Sequence, residues 1–421
     1  MIPRDHRSRP IGRRDFLQLA AAGLAASAVP KALGSFGQAE PNRVDLPPLH
    51  DTKVEAKERT PGPSLAPSER VGFAVVGLGH LALGQVLPAF GNSKYARPVA
   101  LVSGHRSKAL KVAAQYGIGE KAIYDYSSFE RMVDNPEIKV VYVILPNSMH
   151  AEYTIRAARI GKHVLCEKPM AVSVGEAERM IEACGAARVK LMLGYRSQYE
   201  PMDRAIVRMV GEGKLGRPLH FVSSNSQDEG DPGQWRLNRA MAGGGPLMDV
   251  GIYCINAARF LTGEEPTDVV AQTQQLPNDP RFREVESAVE FLLRFPSGFS
   301  AACNASYDCH RSQFFRLECS DGWAEMNPAF AYHGLSLRLG RPVDGVDTVT
   351  EVDVEAKDQF ALELDHMSSC VLKDRLPHTG GAEGLQDMKI IAATYESARS
   401  GQRVPLAAPA PTRGPEPDLE G

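Results

Sequence analysis

The sequence predicts two domains: an N-terminal α/β domain with a parallel sheet, and a C-terminal α+β domain built on a largely antiparallel open sheet. Three observations predict this division. A chain of 421 residues exceeds the usual size of one compact domain. Apolar runs typical of buried strands alternate with helical patterns over residues 70–195. From about residue 267 to 354, short strands follow one another and are separated by turns such as residues 296–298 (PSG).

Composition narrows the classes of function. Hydrophobic residues make up 43% and charged residues 24% of the chain, which is typical of an ordinary soluble globular protein. The net charge of −3 gives no sign of a nucleic-acid surface. The seven cysteines include no C-x-x-C spacing, and their odd number argues against a disulfide framework or a zinc site. We therefore expect no nucleic-acid partner and no metal site.

Residues 1–30 are predicted to be an export signal rather than part of the fold. Residues 12–17 (GRRDFL) resemble a twin-arginine signal, and the alanine-rich residues 16–29 are too short to span a bilayer. Residues 26–28 (ASA) offer a cleavage site. The alternative is a basic amphipathic helix. Because twin-arginine signals mark proteins exported after folding, we expect the export machinery as a partner, a periplasmic mature protein and no membrane contact afterwards.

Residues 31–69 are predicted to be an extended arm. They contain six prolines and lack a hydrophobic period. A disordered spacer is the alternative. The functional interpretation is an arm that lies over a cofactor or a neighbouring subunit.

A glycine-rich turn follows the first strand, which is predicted over residues 71–76. Residues 77–82 (GLGHLA) fit the G-x-G-x-x-G/A pattern that binds dinucleotides at the opening of a helix. The first glycine allows a tight turn, the second lets the backbone approach a pyrophosphate, and the helix N-terminus directs free N–H groups at the phosphates. The predicted cofactor contacts are Gly77, Leu78, Gly79, His80 and Leu81.

The second strand is predicted over residues 98–102. The turn that follows it carries basic residues instead of the usual acidic residue. NAD-binding units place Asp or Glu there to hold the ribose 2′-hydroxyl, yet neither occurs from residue 70 to 119. A carboxylate would repel a 2′-phosphate, whereas a hydroxyl and cations would bind it. The predicted cofactor is therefore NADP, with contacts from Ser103, Gly104, Arg106 and Lys108. A solvated basic helix start is the alternative, although cations oppose the helix dipole there.

Another loop leaves the carboxyl end of the strand predicted at residues 139–145, where ligands bind in open α/β sheets. Residues 146–150 (PNSMH) break this strand and start a helix that runs to about residue 160. We expect Leu145, Pro146, Asn147 and His150 at the cofactor. The alternative for His150 is a capping or packing role.

The strand predicted at residues 163–166 ends in the sequence Glu167-Lys168-Pro169. Because proline disfavours helical geometry in the residue before it, Lys168 is expected to project from the strand end towards the same crevice. Glu167 and Lys168 are both predicted to contact the cofactor. A helix at 173–187 and a strand at 190–195 complete this domain.

These motifs together resemble the Gfo/Idh/MocA oxidoreductase family. G-x-G-x-x-A, P-N-x-x-H and E-K-P occur at the family's spacings, and stretches such as GKHVLCEKPMA and AGGGPLMDVGIYCIN extend the likeness over about residues 71–405. The likeness is strongest to the branch that oxidises one sugar and reduces another. It implies an NADP-dependent enzyme, small-molecule sugar substrates, and a homodimer or homotetramer formed through the C-terminal sheet. The predicted domains are 70–195 (NADP-binding), 196–405 (substrate and oligomerisation) and 406–421 (tail).

The second domain supplies the rest of the predicted site. Residues 243–246 (GGGP) open a helix on which Asp249 and Tyr253, four apart, face the same side. The resemblance implies that Lys168, Asp249 and Tyr253 are catalytic and contact the substrate. Many family members carry His where this chain has Tyr253, whereas the fructose-reducing branch carries Tyr. The resemblance also implies that Trp235 and Arg236 reach back to the cofactor, the alternative for Trp235 being a place in the core.

Three further residues are weaker candidates, and each has a structural role as its alternative. We expect Arg196 at the cofactor, Tyr199 at the substrate and His310 near the substrate. Residues 307–311 (YDCHR) depart from the fructose-reducing branch, which has small hydroxylated residues there. An aldose is therefore open as the hydride acceptor. A last helix, at about residues 385–399, is expected to return to the first domain.

Hydride transfer needs a base for the hydroxyl proton and a group that holds the sugar. Tyr253 is predicted to transfer the proton, and the charge of Lys168 would stabilise and orient its phenolate. Asp249 would pair with Lys168 or bind a sugar hydroxyl. The resemblance implies a ping-pong cycle, in which an aldose leaves as a lactone and a second sugar leaves as a polyol. The alternatives are a dehydrogenase or anhydrosugar reductase that exchanges free NADP(H), and a non-catalytic sugar sensor.

Overall fold

The computed structural model describes residues 65, 66, 68–407 and 412–417. The predicted export signal and nearly all of the predicted arm lie outside the described residues. No helix in the described part of the chain is long and apolar enough to cross a membrane.

The first sheet contains six strands that run parallel to one another. They are β1 (Val71–Val76), β2 (Ala96–Val102), β3 (Ile123–Tyr124), β4 (Ile138–Val143), β5 (His163–Glu167) and β6 (Leu191–Gly194). Their order is β3-β2-β1-β4-β5-β6, the Rossmann order. The order reverses between β1 and β4, and in such sheets ligands bind outside the carboxyl ends of the strands at that point.

The sequence of this half explains its local structure. All six residues of β1 are buried, as expected for a parallel strand covered on both faces. A π-helical turn (Ala82–Val86) and the short helix α1 (Leu87–Ala89) follow it. The next helices are α2 (Arg106–Tyr116), α3 (His150–Arg159) and α4 (Val174–Ala186). Ser173 caps α4 by accepting a hydrogen bond from the Glu176 N–H, and α2 ends at Gly117 with φ +67°.

The second sheet contains nine strands and is open. They are β7 (Pro218–Asp228), β8 (Asp268–Gln274), β9 (Ala288–Arg294), β10 (Ser300–Ser306), β11 (Asp308–Cys319), β12 (Trp323–Met326), β13 (Leu337–Val343), β14 (Val346–Val352) and β15 (Val404–Pro405). Their order is β14-β13-β12-β11-β7-β10-β9-β8-β15. Neighbouring strands are antiparallel except β7 and β10. The predicted fold class is therefore confirmed for both domains.

One face of this sheet packs on helices, and the other is open. Along β9 the buried Val289, Phe291 and Leu293 alternate with exposed residues, which is the pattern of a half-covered strand. Five helices accompany the sheet or follow it. They are α5 (Pro201–Gly211), α6 (Arg239–Ala242), α7 (Ile252–Thr262), α8 (Gln359–Leu372) and α9 (Gly381–Ser400).

The last two long helices connect the domains. Helix α8, which the sequence did not predict, packs on β1 and β2, and its Phe360, Leu364 and Met367 join the apolar core of the first sheet. Helix α9 contacts α4 and β6 of the first domain as well as β8 of the second. The predicted return of the last helix is thus observed. The described part of the tail docks as well, since the Gly414 N–H donates to the His378 carbonyl.

Candidate active site

A cleft of about 710 Å³ lies outside the carboxyl ends of β1, β4 and β5 and faces the second sheet. Both domains line it. The predicted site residues that line the cleft are Gly77, Leu78, Gly79, His80, Leu81, Leu145, Pro146, Asn147, Glu167, Lys168, Arg196, Trp235, Arg236, Asp249 and Tyr253. Residues that are scattered along the chain are therefore brought to one place.

The glycine turn after β1 forms a cradle that fits a pyrophosphate. Gly77 has φ +94°, and a Cβ there would lie 2.1 Å from the Ile144 carbonyl oxygen. A Cβ at Gly79 would meet nothing within 4 Å, so the backbone there is open to the cleft. The helical turn begins at Ala82 and directs its free N–H groups to the same place. The residues present therefore fit the phosphates of a dinucleotide.

The predicted 2′-phosphate contacts lie at the end of β2, outside the lining of the cleft. The Ser103 hydroxyl accepts a hydrogen bond from the His105 N–H at 3.1 Å. The largely exposed Arg106 lies 4.0 Å from Glu120, a weak surface pair, and Lys108 is half-buried. Gly104 leaves room for the Tyr126 ring, which lines the cleft.

His150 joins two loops of the site instead of lining the cleft. Its Nδ1 lies 2.8 Å from the Pro169 carbonyl oxygen, and its Nε2 lies 2.8 Å from the Leu145 carbonyl oxygen. Burial holds its pKa below the usual range. The geometry gives His150 a positioning role for the loops that carry Asn147 and Lys168.

Glu167 lines the cleft from a buried position. Its Oε1 accepts a hydrogen bond of 2.7 Å from the Tyr142 hydroxyl, which also lies 3.3 Å from Glu363 Oε2. Burial raises the pKa of both carboxyls, and for Glu363 the charge of Glu167 raises it further. A phenol has one proton to donate, so the Tyr142 hydroxyl can satisfy only one of the two carboxyls at a time.

Lys168 contacts both Asp249 and Tyr253. The Lys168 ammonium donates to Asp249 Oδ1 at 3.0 Å and to the Asp249 carbonyl oxygen at 2.8 Å. The same ammonium lies 4.7 Å from the centroid of the Tyr253 ring, and the Arg196 guanidinium lies 4.9 Å from it. Both cations lie over the aromatic ring, whose face carries a negative partial charge, and are attracted to it. Their positive charge would also stabilise a negative charge that develops on the phenol oxygen.

Asp249 is bound on both of its oxygens. Arg236 Nε donates to Oδ2 at 2.9 Å, and the Tyr307 hydroxyl donates to the same atom at 2.8 Å. Burial alone would raise the pKa of Asp249, but Lys168 and Arg236 hold it well below its usual range. Burial would likewise lower the pKa of Lys168, but the Asp249 charge holds it above its usual range. The pair is therefore ionised at neutral pH, and Asp249 acts on the phenol through Lys168.

Arg196 and the Trp235-Arg236 pair reach the cleft from its walls. Arg196 is buried and donates to the carbonyl oxygens of Phe330 and Ala331 and to Gln359. The Arg236 guanidinium stacks on Trp235, 4.7 Å from the ring centroid. Trp235 is half-buried, so it is not a core residue.

Tyr199 does not reach the cleft. It is fully buried, its hydroxyl lies 2.8 Å from Thr379 Oγ1, and its ring packs against His366. Tyr199 enters the apolar core beneath the first sheet because α8 covers that face. His310 is also absent from the cleft lining, which its neighbour Arg311 joins. Within the described residues, no group of three or more metal-ligating side chains is present.

Two known family patterns match the chain. One, described as "Oxidoreductase family, NAD-binding Rossmann fold", matches residues 71–195, and the other, the GFO/IDH/MocA C-terminal domain, matches residues 204–325. The chain is also 34% identical over 346 residues to the D-xylose 1-dehydrogenase [NADP(+)] of Haloarcula marismortui, covering 80% of this chain and 93% of that protein. The chain belongs to the Gfo/Idh/MocA oxidoreductase family. The predicted family, the enzyme class of NAD(P)-dependent oxidoreductase and the dinucleotide-binding Rossmann domain are confirmed.

Two solved structures are similar to this chain over most of its length. The aldose-aldose oxidoreductase from Caulobacter crescentus, complexed with glycerol, is 45% identical, with a TM-score of 0.77 over 80% of this chain and 100% of that chain. A levoglucosan dehydrogenase in complex with NADH and levoglucosan is 22% identical, with a TM-score of 0.71 over 80% of this chain and 99% of that chain. The second likeness is one of fold alone.

Several residues of this Gfo/Idh/MocA site were missed by sequence reasoning. They are Tyr126, Asn225, Gln227, Asp231, Gln234, Arg311, Gln313, Phe330, Ala331, Tyr332 and Phe360. Most of them belong to no local motif. One signal was available: β7 carries Asn225 and Gln227 at alternate positions of one face, where a core-facing strand would carry apolar residues.

Proposed function

We propose that this protein is an exported sugar oxidoreductase that retains NADP. It oxidises an aldose such as glucose at C1 to the lactone, and then reduces fructose or a second aldose to a polyol. The observation that carries the sugar oxidoreductase chemistry is the Lys168–Asp249–Tyr253 group, which lies in one cleft with the phosphate cradle and with the amides of Asn225 and Gln227. Amides in such a wall suit the hydroxyl groups of a sugar.

The proposed chemistry assigns one task to each side chain. A bound nicotinamide supplies the hydride acceptor for one half-reaction and the hydride donor for the other. Tyr253 takes the proton from the C1 hydroxyl of the first sugar and returns a proton to the carbonyl oxygen of the second. Lys168 stabilises the phenolate, and Asp249 holds Lys168 in place. Because Asp249 already holds Lys168 in the absence of substrate, the charge that stabilises the phenolate is in position before substrate binds.

The cofactor is proposed to be NADP rather than NAD. The turn after β2 offers Ser103, Arg106 and Lys108, and no acid occurs in the chain from residue 70 to 119. Two relatives, the D-xylose 1-dehydrogenases of Haloarcula marismortui and Haloferax volcanii, are named for NADP(+). Both observations favour a 2′-phosphate.

We propose export because residues 1–30 resemble a twin-arginine signal. The mature protein would then be periplasmic. A protein exported after folding carries its cofactor with it. A cofactor that stays bound needs a second substrate to return it to its starting state, which is the reason for two half-reactions. The aldose-aldose oxidoreductase of Caulobacter crescentus is by its name a protein with two sugar substrates.

A homodimer or homotetramer through the open face of the second sheet is also proposed. Val222, Ala302, Leu292 and Val270 lie side by side across β7, β10, β9 and β8 on the open face of the sheet. The Val222, Leu292 and Val270 side chains are each about 40% exposed. An apolar row of this length on an open sheet is suited to a copy of itself.

A second candidate is an ordinary dehydrogenase or anhydrosugar reductase that exchanges free NADP(H). The names of the relatives favour it, since they include D-xylose 1-dehydrogenase and 1,5-anhydro-D-fructose reductase. The geometry of Lys168, Asp249 and Tyr253 serves both candidates equally. Cofactor retention separates them.

The experiment begins with protein purified without added nucleotide. Denaturation releases any bound cofactor for identification, and glucose is then added to intact protein while nicotinamide fluorescence is followed. The proposal predicts stoichiometric NADP that is reduced once and is reoxidised only by a second sugar. An empty protein that turns over only with added NADP supports the second candidate, and bound NAD contradicts the roles of Ser103, Arg106 and Lys108.

A further inference from the structure

A β-bulge lies where β11 passes the cleft. Asp308 pairs with Asp228 of β7, and the next pair is Ser312 with Ser226. Three residues of β11, 309–311, therefore face the single residue Gln227. Bulges beside active sites change the direction of a side chain, and here Arg311 joins the cleft lining.

A chain of hydrogen bonds links the exposed Arg311 side chain to the cleft wall. Its Nε donates to Gln313 Oε1 at 2.7 Å, and Gln313 Nε2 donates to Asn225 Oδ1 at 3.3 Å. Asn225 Nδ2 in turn donates to the Val250 carbonyl oxygen at 3.1 Å, next to Asp249 in the chain. Because Nε is occupied, the two terminal nitrogens of the guanidinium are the groups left for another partner. Within the described residues, neither has a hydrogen-bond or ion-pair partner.

The other cations of the cleft already have partners. Lys168 and Arg236 bind Asp249, and Arg196 binds backbone carbonyl oxygens and Gln359. The acids nearest to the bulge in the chain do not neutralise Arg311. Asp308 and Asp228 both pair with Arg281. Arg311 is thus a cation of the cleft wall whose charge is unpaired among the described residues.

We propose that Arg311 binds an anionic group of the sugar, a carboxylate or a phosphate, and that the preferred substrates are acidic sugars. The inference rests on the proposed sugar oxidoreductase function. A guanidinium whose Nε is held by another side chain presents its terminal nitrogens as a fork, and this fork matches two oxygens of a carboxylate or phosphate. The amides of Asn225, Gln227 and Gln313 on the same wall suit the sugar hydroxyls.

The test compares glucose, glucuronate and glucose 6-phosphate as hydride donors for the full-length holoenzyme and for Arg311→Gln. We expect kcat/KM for at least one anionic sugar to exceed that for glucose by at least about tenfold, as a charged hydrogen bond allows. In Arg311→Gln the ratio of anionic to neutral kcat/KM should fall by a similar factor. Arg341→Gln, which removes an exposed arginine of β13, is the matched control and should keep the ratio. The two anionic sugars distinguish a carboxylate site from a phosphate site.

A second measurement does not depend on turnover. Calorimetric titration with glucuronate and with glucose 6-phosphate should show binding by the parent protein that weakens with added salt and is lost in Arg311→Gln. Glucose oxidation without preference for either anion, together with equal anion binding by both proteins, would leave the proposed function standing and overturn the role of Arg311. Weakened NADP binding in Arg311→Gln would also overturn it, because the anion would then be the cofactor's. Absence of oxidation of all three sugars would contradict the proposed function instead.

Discussion

The Lys168 ammonium and the Asp249 carboxylate meet at 3.0 Å although they come from different domains. Lys168 follows β5 of the Rossmann sheet, whereas Asp249 lies on the π-helical turn that leads into α7. The two side chains are only 11% and 14% exposed and are ionised, so each charge depends on the other for its stability in the cleft. The site therefore forms only when the two domains are packed together.

The first prediction concerns Tyr253→Phe. The change removes the hydroxyl and keeps the ring in contact with Lys168 and Arg196, so turnover should fall by about 10²- to 10⁴-fold while the cofactor stays bound. Tyr199→Phe is the control, because it removes a buried tyrosine hydroxyl outside the cleft. Steady-state rates and nucleotide content of both variants check this. Full turnover in Tyr253→Phe would remove Tyr253 as the acid/base group.

The second prediction assigns a positioning role to Tyr307. Its hydroxyl donates to Asp249 Oδ2, and Phe fills the same buried space without that bond. We expect kcat to fall by about three- to tenfold in Tyr307→Phe, which corresponds to the roughly 0.5–1.5 kcal/mol of a typical net hydrogen bond, while the purified protein keeps its NADP. The effect should shrink in an Asp249→Asn background, because the two residues act together. Equal effects in both backgrounds would show that Tyr307 acts independently of Asp249.

Part of this site could be predicted from the sequence alone. The phosphate cradle, Lys168 and the Asp249–Tyr253 spacing were predictable because each is a local motif at the end of a strand or on one helix face. Asn225 and Gln313 were not, because they meet through the register of β7 and β11, which are 88 residues apart at that pair. The hydrogen bond from Tyr307 to Asp249 could not be predicted for the same reason, because the two residues lie 58 residues apart in the chain.

Long-range packing also explains the other differences. Helix α8 was missed because its apolar face packs on a sheet that ends well over 150 residues earlier in the chain. Since α8 covers that face, Tyr199 lies in the core and not at the substrate. No feature of the sequence next to Tyr199 indicates that a later helix packs on this face of the sheet.

The third prediction concerns cofactor choice. Arg106→Ala combined with Lys108→Ala should raise the Kd for NADP by about ten- to a hundredfold, because each charged hydrogen bond contributes about 1.5–3 kcal/mol at most and both side chains are partly exposed. The Kd for NAD should change little. Nucleotide titrations at low and moderate salt provide the measurement. Lys111→Ala, one helical turn away on the exposed side of α2, is the control. A parallel loss of NAD affinity would indicate a pyrophosphate contact instead.

The fourth prediction is a pH dependence of stability. Burial, with the nearby His378 and Arg204, lowers the pKa of His366 from 6.5 to about 3. The unfolded chain therefore binds a proton that the folded chain does not, and stability falls as the pH decreases below about 6.5. From pH 7.5 to 5.5 this one group costs about 1.4 kcal/mol of the free energy of unfolding.

Chemical denaturation at the two pH values checks this for the parent protein and for His366→Gln. The variant should lose about 1.4 kcal/mol less than the parent over the interval, whatever its stability at pH 7.5. His333→Gln changes an exposed histidine and should behave like the parent. Equal losses in the parent and in His366→Gln would show that His366 carries its proton in the folded protein.

The most direct test of the central claim follows the hydride itself. An aldose deuterated at C1 is incubated with the protein, a second unlabelled sugar and an excess of unlabelled NADPH, and the polyol is analysed by mass spectrometry. If the cofactor stays in the cleft beside Lys168 and Tyr253, deuterium passes from the first sugar to the polyol despite the free pool. An unlabelled polyol, with deuterium in the free nucleotide, would contradict sugar-to-sugar transfer and establish an ordinary dehydrogenase.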